Sequence, residues 1–206
     1  MAAKIDLSVF PLDVFDVPNI INYLRSFSPN FIFILVAPFV GPIRDMMKAE
    51  NLDPKEVWES VDFVIWTGEG ITKAVRKRVE EEWGIKVFQM AGYSDPFNMT
   101  FECPEVAGTH SSGDDMFFVE VIDPDTGHVV EEGNRGEHVC TALSFEAMPL
   151  LRFRTDDLGY MSTDKCGCGR TSTRSHWLGR RNDEVKIAEK SILVEKTILS
   201  LSTRIR

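Results

Sequence analysis

Residues 62–70 read DFVIWTGEG, an apolar run that ends in a glycine loop, as a buried strand does before a helix. The next segment, KAVRKRVEEEW at 73–83, has helical spacing, with Thr72 placed to cap its start and Gly84 to end it. KVFQM at 86–90 then predicts another strand. A strand, a helix and a strand in this order form a βαβ unit, so this part of the chain predicts a parallel sheet.

The same alternation extends towards the start of the chain. VPNIINYLRSF at 17–27 repeats apolar residues at helical spacing, and FIFILVA at 31–37 is a continuous apolar run that predicts a strand. Asp53 and Pro54 form an N-cap and first-turn pair for the helical segment KEVWESV at 55–61. We therefore expect the first hundred residues to form an α/β unit.

The pattern changes after about residue 100. DMFFVEVIDPDTGHVVEEG at 115–133 predicts a hairpin, because two alternating runs flank a proline and glycine turn. GEHVCTALSF at 136–145 and PLLRFRTDDLGYM at 149–161 continue as strands. The predicted fold class is thus α/β, or α+β overall: the end of a parallel α/β subdomain followed by an antiparallel, β-rich, barrel-like subdomain.

Charge and hydropathy restrict the classes of function. The formal net charge of −9 argues against general nucleic-acid binding. Residues 165–206 contain ten Lys and Arg residues but four Asp and Glu residues, so the end of the chain is basic. This basic strip suits a small phosphorylated ligand, and the alternative is a solvated positive face. The longest apolar run is too short to span a bilayer and no signal segment opens the chain, so we expect a cytoplasmic protein without a membrane partner.

Four cysteines in a cytoplasmic protein are better suited to metal binding, catalysis or burial than to disulfides. Cys166 and Cys168 share a glycine turn that can hold two thiolates on one side of the backbone. Structural zinc takes four ligands, and Cys103 with His110 would complete a Cys₃His set. The alternative is a buried Cys103, an exposed His110 and a turn that contains cysteines by chance. Cys140 lies in a strand-like run and is expected in the core.

The sequence AMPLLRFRTDDLGYMSTDKCGCGRTSTRSHWLGRRNDEVKI at 147–187 resembles the phenylacetate–CoA ligase branch of the adenylate-forming superfamily. That branch shows an RYRTGDL stretch, a CPCGRT turn, a GRxDD hinge and an upstream FEC…H motif. The resemblance implies that Cys103, His110, Cys166 and Cys168 bind zinc. It covers roughly residues 15–195, with anchors at 61–69, 101–110, 116–124 and 137–187.

The resemblance also implies a nucleotide site. Asp157 matches the family's ribose-binding aspartate, and Arg180 matches its hinge arginine, which offsets charge near the phosphates and ribose. Gly68 and Glu69 match a loop that lies along the adenine. The implied ligands are ATP or AMP, Mg²⁺, coenzyme A and an aromatic carboxylic acid.

Three places depart from the family pattern. The YGxTE motif, in which the tyrosine stacks on adenine, the threonine contacts phosphate and the glutamate helps to hold magnesium, is replaced by GYSD. Tyr93, Ser94 and Asp95 would fill these three roles if two residues are missing between the tyrosine and the serine. Asp156 stands where the family has the glycine of TGD, and Asn182 replaces the first hinge aspartate.

No segment matches the family's phosphate loop, which should lie upstream of residue 1, or the lid with its lysine. We therefore expect a fragment or divergent member of an ATP-dependent aryl- or acyl-CoA ligase that is inactive alone. The alternatives are a non-catalytic, zinc-stabilised module that binds a nucleotide or partner, and a subunit of a split ligase with a complementing N-terminal chain or a dimeric arrangement. The expected divisions are a partial nucleotide-binding subdomain at 1–100, a zinc-containing β-rich subdomain at 101–178, a hinge at 179–189 and a stub of the lid domain at 190–206.

Overall fold

The computed structural model describes residues 7–13, 16–93, 98–105, 108–187 and 190–193. Its described residues contain four α-helices: α1 (Val17–Phe27), α2 (Ala37–Ala49), α3 (Pro54–Val57) and α4 (Lys73–Trp83). Three parallel strands alternate with them: β1 (Phe31–Leu35), β2 (Phe63–Trp66) and β3 (Lys86–Tyr93). The predicted parallel α/β unit is confirmed.

Local side chains fix the ends of these helices as the sequence predicts. The Thr72 hydroxyl accepts a hydrogen bond from the Val75 N–H at 3.1 Å and so caps α4. Gly84 ends the same helix with a φ of +76°, a conformation in which a side chain is disfavoured. The Asp53 carboxylate caps α3 through the Lys55 N–H at 2.9 Å.

The second half of the chain is antiparallel. Its strands are β4 (Asn98–Glu102), β5 (Thr109–Ser111), β6 (Phe117–Ile122), β7 (Gly136–Ala142), β8 (Phe153–Ser162) and β9 (Arg174–Arg180). They join the parallel strands in one nine-stranded sheet of order β1-β2-β3-β4-β5-β9-β8-β7-β6. A separate two-stranded sheet pairs β10 (Glu184–Ile187) antiparallel with β11 (Lys190–Leu193). The subdomain, hinge and lid boundaries stay predictions.

The hairpin predicted at 115–133 is only partly formed. The Asp123 carboxylate accepts from the N–H groups of Asp125 and Thr126 and builds the turn. Beyond the turn, however, a single bridge links Val129 to Ile122, and β6 takes β7 as its partner instead. The prediction of a second strand there was wrong, because β7 offers a nearly continuous buried row whereas 129–133 is exposed or half-buried.

Two clusters of buried residues form the core. The larger one packs the helices against β1–β3 and includes Trp58 and Trp83, whose rings stack with centroids 4.5 Å apart. The smaller one contains Tyr93, Phe117, Cys140 and Ala142, with Trp177 against it. Among the described residues no helix has the length and apolarity to cross a membrane.

Candidate functional site

The sheet register brings the four predicted metal ligands together. Cys103 lies in the connection from β4 to β5, and His110 lies within β5. Cys166 and Cys168 lie in the connection from β8 to β9. Because β5 pairs with β9 at His110 and Arg174, the loop that leads into β9 passes beside the imidazole.

The ligand atoms have the spacing of a tetrahedral site. The sulfur atoms of Cys103 and Cys166 are 3.6 Å apart, and the Cys168 sulfur lies 3.5 Å from His110 Nε2. All four ligand atoms lie within 4.8 Å of one another. Bonds of about 2.3 Å to zinc place two tetrahedral sulfur ligands about 3.8 Å apart, so the cluster has room for one ion.

Ser172 orients the imidazole. His110 Nδ1 lies 3.3 Å from the Ser172 carbonyl oxygen and 3.1 Å from its hydroxyl oxygen. In the tautomer that a bound metal requires, Nδ1 carries the proton and donates to the Ser172 carbonyl oxygen, which leaves the Nε2 lone pair for the metal. Metal-binding histidines usually have such a partner on the second nitrogen. Sequence reasoning missed Ser172, whose only signal was its place in the turn after Cys168.

The glycine turn favours the thiolate form of Cys166. The backbone N–H of Cys168, followed by the His110 side chain, lowers the pKa of Cys166 to about 6. Burial raises the pKa of Cys103. Cys103, His110 and Cys166 are buried, and neither they nor Cys168 form a disulfide. Three sulfurs and one imidazole, mostly shielded from water, fit a structural zinc ion better than Mg²⁺ or Ca²⁺, which prefer oxygen ligands.

The predicted ribose aspartate and hinge arginine meet on adjacent strands. Asp157 of β8 pairs in register with Arg180 of β9, and Arg180 Nε lies 3.2 Å from Asp157 Oδ1. The Asp157 side chain is 14% exposed and that of Arg180 is 64% exposed. Burial raises the pKa of Asp157, and the positive charge of Arg180 opposes that shift. The pair can therefore offer a carboxylate acceptor and an exposed guanidinium to one ligand.

The residue before Asp157 has the backbone conformation of a glycine. Asp156 has a φ of +60°, in the left-handed region. Its N–H donates to the buried Glu137 carboxylate at 3.2 Å, and Arg154 Nε donates to the same carboxylate at 3.0 Å. Glu137 was not predicted as part of the site. It holds the backbone that carries Asp157.

Gly68 and Glu69 follow β2 at its carboxyl end. Gly68 has a φ of +84°, and a Cβ there would lie 3.3 Å from Val36. The Glu69 carbonyl accepts from Trp66 Nε1 at 2.9 Å. The adenine contact expected of this loop stays a prediction.

Tyr93 belongs to the smaller core cluster. It is 8% exposed, and its ring packs edge-on against Trp177 with centroids 5.4 Å apart. Burial raises the pKa of Tyr93 well above its ordinary value, and the Asp157 and Arg180 charges also act on it, which places the three side chains in one electrostatic environment. The stacking role predicted for Tyr93 stays a prediction. Ser94 and Asp95 lie outside the described residues.

Comparison with known proteins finds sequence relatives among CoA ligases. A scan against protein-family models found no match. The phenylacetate-coenzyme A ligase of Thermus thermophilus is 30% identical over 188 residues, which are 90% of this chain and 42% of that protein. The ligase of the same name from Aromatoleum evansii is 31% identical over 159 residues, 76% of this chain and 36% of that protein. The chain thus spans about two fifths of the length of these curated relatives.

Solved structures share the fold. A 2-hydroxyisobutyryl-CoA ligase in the postadenylation state, in complex with R3-HIB-AMP, superposes with a TM-score of 0.82 at 23% identity, over 97% of this chain and 44% of that one. Its open conformation with 2-HIB-AMP and CoA gives a TM-score of 0.77 at 24% identity, over 93% and 46%. The fold is that of an adenylate-forming CoA ligase. Its sequence relatives are more specific: the chain is similar to phenylacetate-coenzyme A ligases over three quarters or more of its own length, which confirms the resemblance seen in the sequence.

Proposed function

We propose that this chain provides the ribose-binding, zinc-stabilised part of an ATP-dependent aryl- or acyl-CoA ligase. The Asp157–Arg180 pair carries this proposal, because it puts the two residues that match the family's nucleotide contacts on neighbouring strands of the shared fold. The reaction joins an acid's carboxylate to the α-phosphate of ATP with release of pyrophosphate. The thiol of coenzyme A then displaces AMP.

Each residue of the pair has a distinct part in nucleotide binding. A largely buried carboxylate such as Asp157 can accept hydrogen bonds from both ribose hydroxyls, and each such charge-assisted bond is stronger than a neutral one. Arg180 is more exposed and can leave Asp157 to contact the phosphate side of the nucleotide. Glu137 supports the backbone between Thr155 and Asp157 through the Asp156 N–H.

The cysteine and histidine cluster has a structural part in the proposal. Cys103, His110, Cys166 and Cys168 would hold zinc with no open coordination position, which is typical of structural sites. The ion would tie the β4–β5 connection to the loop that leads into β9, the strand that ends in Arg180. Mg²⁺ and coenzyme A enter the proposal from the family resemblance, and a structural neighbour was solved with CoA bound.

Isothermal titration calorimetry with ATP and with AMP tests the nucleotide site. Asp157→Ala should weaken binding by about 1.5–3 kcal/mol, or about 10- to 150-fold. Asp115→Ala, which removes an exposed carboxylate from a loop, is the matched control and should leave binding unchanged. Equal affinity of the wild type and Asp157→Ala would refute the site.

A second candidate is a non-catalytic, zinc-stabilised module that binds a partner. The burial of Tyr93 against Trp177 favours it, because a ring packed in the core is not available to stack on a base. The same titration separates the two, since a module without nucleotide function would bind neither ATP nor AMP while it retained the metal.

A further inference from the structure

The antiparallel strands curve around a cavity. Thr100 of β4 and Ser111 of β5 line one side of it, and Phe117 and Val119 of β6 line the other. Three strands, β9, β8 and β7, lie between β5 and β6 in the sheet, so the two sides meet one space because the sheet curls back on itself. The cavity has a volume of about 240 Å³. Small-molecule sites often lie in the mouth of such a curled sheet.

Trp177 is held on three sides in the wall of this cavity. Its Nε1 donates to the Thr109 hydroxyl at 2.7 Å. The ring stacks on His138 with centroids 4.5 Å apart, and Tyr93 packs edge-on against it at 5.4 Å. These contacts fix the ring in the absence of a ligand, and its remaining surface lines the cavity. A ring fixed in this way can stack with an aromatic ligand and attract a nearby cation.

The charge of the wall selects the class of ligand. Phe117 is buried, whereas Phe118 is 57% exposed and lies with the exposed Asp114 at the mouth. Among the described residues that line the cavity, Asp114 carries the only charge, and none is a lysine, arginine or histidine. The wall would therefore attract an organic cation, and it would leave a phosphate or a carboxylate without a partner for its charge.

The cavity lies apart from the Asp157–Arg180 pair. Neither residue of the pair lines it, and β8 contributes Met161, which pairs with Ser175 four residues further along that strand. Four residues of a strand span roughly 13 Å. The family resemblance implies an adenine contact for Tyr93, which also lines the cavity, so competition with ATP has to be part of the test.

We propose that this cavity binds a small aromatic amine, whose ring packs against the aromatic wall and whose ammonium group pairs with Asp114. An apolar cavity of about 150 Å³ is enough to bind benzene, so this one has room for a single ring with a short alkylamine chain. The site is independent of the proposed nucleotide function, because it rests on the shape and the charge of the cavity alone.

A nuclear magnetic resonance titration of the ¹⁵N-labelled chain with 2-phenylethylamine tests the site. The indole N–H signal of Trp177, assigned with Trp177→Phe, should shift as the amine saturates the cavity. The signals of Trp58, Trp66 and Trp83, which belong to the larger core cluster, should not move. 2-Phenylethanol lacks the charge and should bind about fivefold more weakly. 3-Phenylpropionate carries the opposite charge and should not saturate the site.

Three substitutions locate the ligand in the cavity. Asp114→Asn should lower the affinity for the amine about fivefold and leave that for the alcohol unchanged, because only the amine pairs with the carboxylate. Asp115→Asn removes the neighbouring exposed carboxylate, which does not line the cavity, and should bind both compounds as the wild type does. Thr173→Trp should fill the cavity and abolish the binding of both, with circular dichroism showing that the variant is folded.

Three results would overturn the proposal. They are a Trp177 signal that does not move, equal affinity for the amine and the carboxylate, and displacement of the amine by ATP, which would make the cavity part of the nucleotide site. Unchanged amine affinity in saturating ATP supports a separate site. A chain that binds the amine but no ATP would refute the nucleotide site and leave the amine site in place.

Discussion

The sulfur atoms of Cys103 and Cys166 lie 3.6 Å apart, although 63 residues separate them in the chain. The contact joins the β4–β5 connection to the β8–β9 connection. No covalent bond joins the two thiols, but a metal that binds both of them in the folded chain would be released on unfolding, so its binding free energy would add to the stability of the fold. A metal at this contact would therefore contribute to the stability of the whole antiparallel half.

We expect the purified chain to contain one zinc ion. Plasma mass spectrometry should give about one zinc per chain, and X-ray absorption should give Zn–S bonds of about 2.3 Å and a Zn–N bond of about 2.0–2.1 Å. Cys166→Ser should lose the metal, and chelation should lower the melting temperature of the wild type. Cys140→Ala is the control, since it removes a buried thiol that lies outside the cluster. Full zinc content in Cys166→Ser would contradict the assignment.

Ser172 should tune the affinity of the zinc site. Ser172→Ala removes the hydroxyl 3.1 Å from His110 Nδ1 but leaves the backbone carbonyl at 3.3 Å. Loss of such a hydrogen-bond partner typically lowers metal affinity 10- to 100-fold. Because the backbone carbonyl remains as a partner, we expect a loss of about tenfold. Competition with a chromophoric chelator measures it. Ser144→Ala, in an exposed loop, should bind zinc as the wild type does; an unchanged Ser172→Ala would show that the serine does not orient the ring.

Local features of the fold were predictable and long-range ones were not. The caps at Thr72 and Gly84 depend on neighbours within a few residues, so the sequence alone indicates them. From the residue spacing alone, a zinc site formed by the Cys₃His set was one of two interpretations. The family resemblance then favoured it. Ser172, and the stacking of His138 on Trp177 at 4.5 Å, depend on the register of strands that are far apart in sequence, and no local pattern encodes that register.

Substitutions of Asp156 can separate the effect of its backbone conformation from the effect of its charge. With a φ of +60°, it should be replaceable by glycine or asparagine, whereas alanine should destabilise the fold by about 1 kcal/mol. Asp156→Gly and Asp156→Asn both remove a negative charge that raises the pKa of Asp157. Both should therefore bind ATP more tightly than the wild type. Denaturant unfolding measures the change in stability, and calorimetry measures the change in ATP affinity. If the glycine variant alone binds ATP more tightly, the gain in affinity comes from the backbone conformation and not from the lost charge.

His138 should make the fold sensitive to acid. It is fully buried, and burial, reinforced by His176, lowers its pKa from 6.5 to about 4. The unfolded chain takes up a proton near pH 6.5 that the folded chain resists, so the free energy of unfolding should be unaffected above that pH and fall between about pH 6.5 and 4. The full shift corresponds to about 3 kcal/mol.

His138→Phe tests this assignment, because it keeps a ring on Trp177 and removes the titrating group. Its unfolding free energy should fall less steeply than that of the wild type between pH 6.5 and 4. Acid also protonates Cys166 in both proteins, so the expected result is the difference between their slopes. His128→Gln removes an exposed imidazole and should keep the wild-type slope. Equal slopes for the wild type and His138→Phe would exclude His138 as the acid-sensitive group.

The 206-residue chain alone should not make an acyl-CoA. Adenylation needs donors around the β- and γ-phosphates and a lysine near the incoming carboxylate, and no segment of these residues matches the family's phosphate loop or its lid lysine. A single positioned donor can contribute about 2.7–4 kcal/mol of transition-state stabilisation, so the loss of two such elements would slow the reaction by several orders of magnitude even if ATP binds. The assay is pyrophosphate release with ATP, Mg²⁺ and a panel of aryl acids, with and without coenzyme A. The Thermus thermophilus ligase under the same conditions shows that the panel contains a usable acid. Turnover by the chain at a comparable rate would mean that its own residues supply the missing groups.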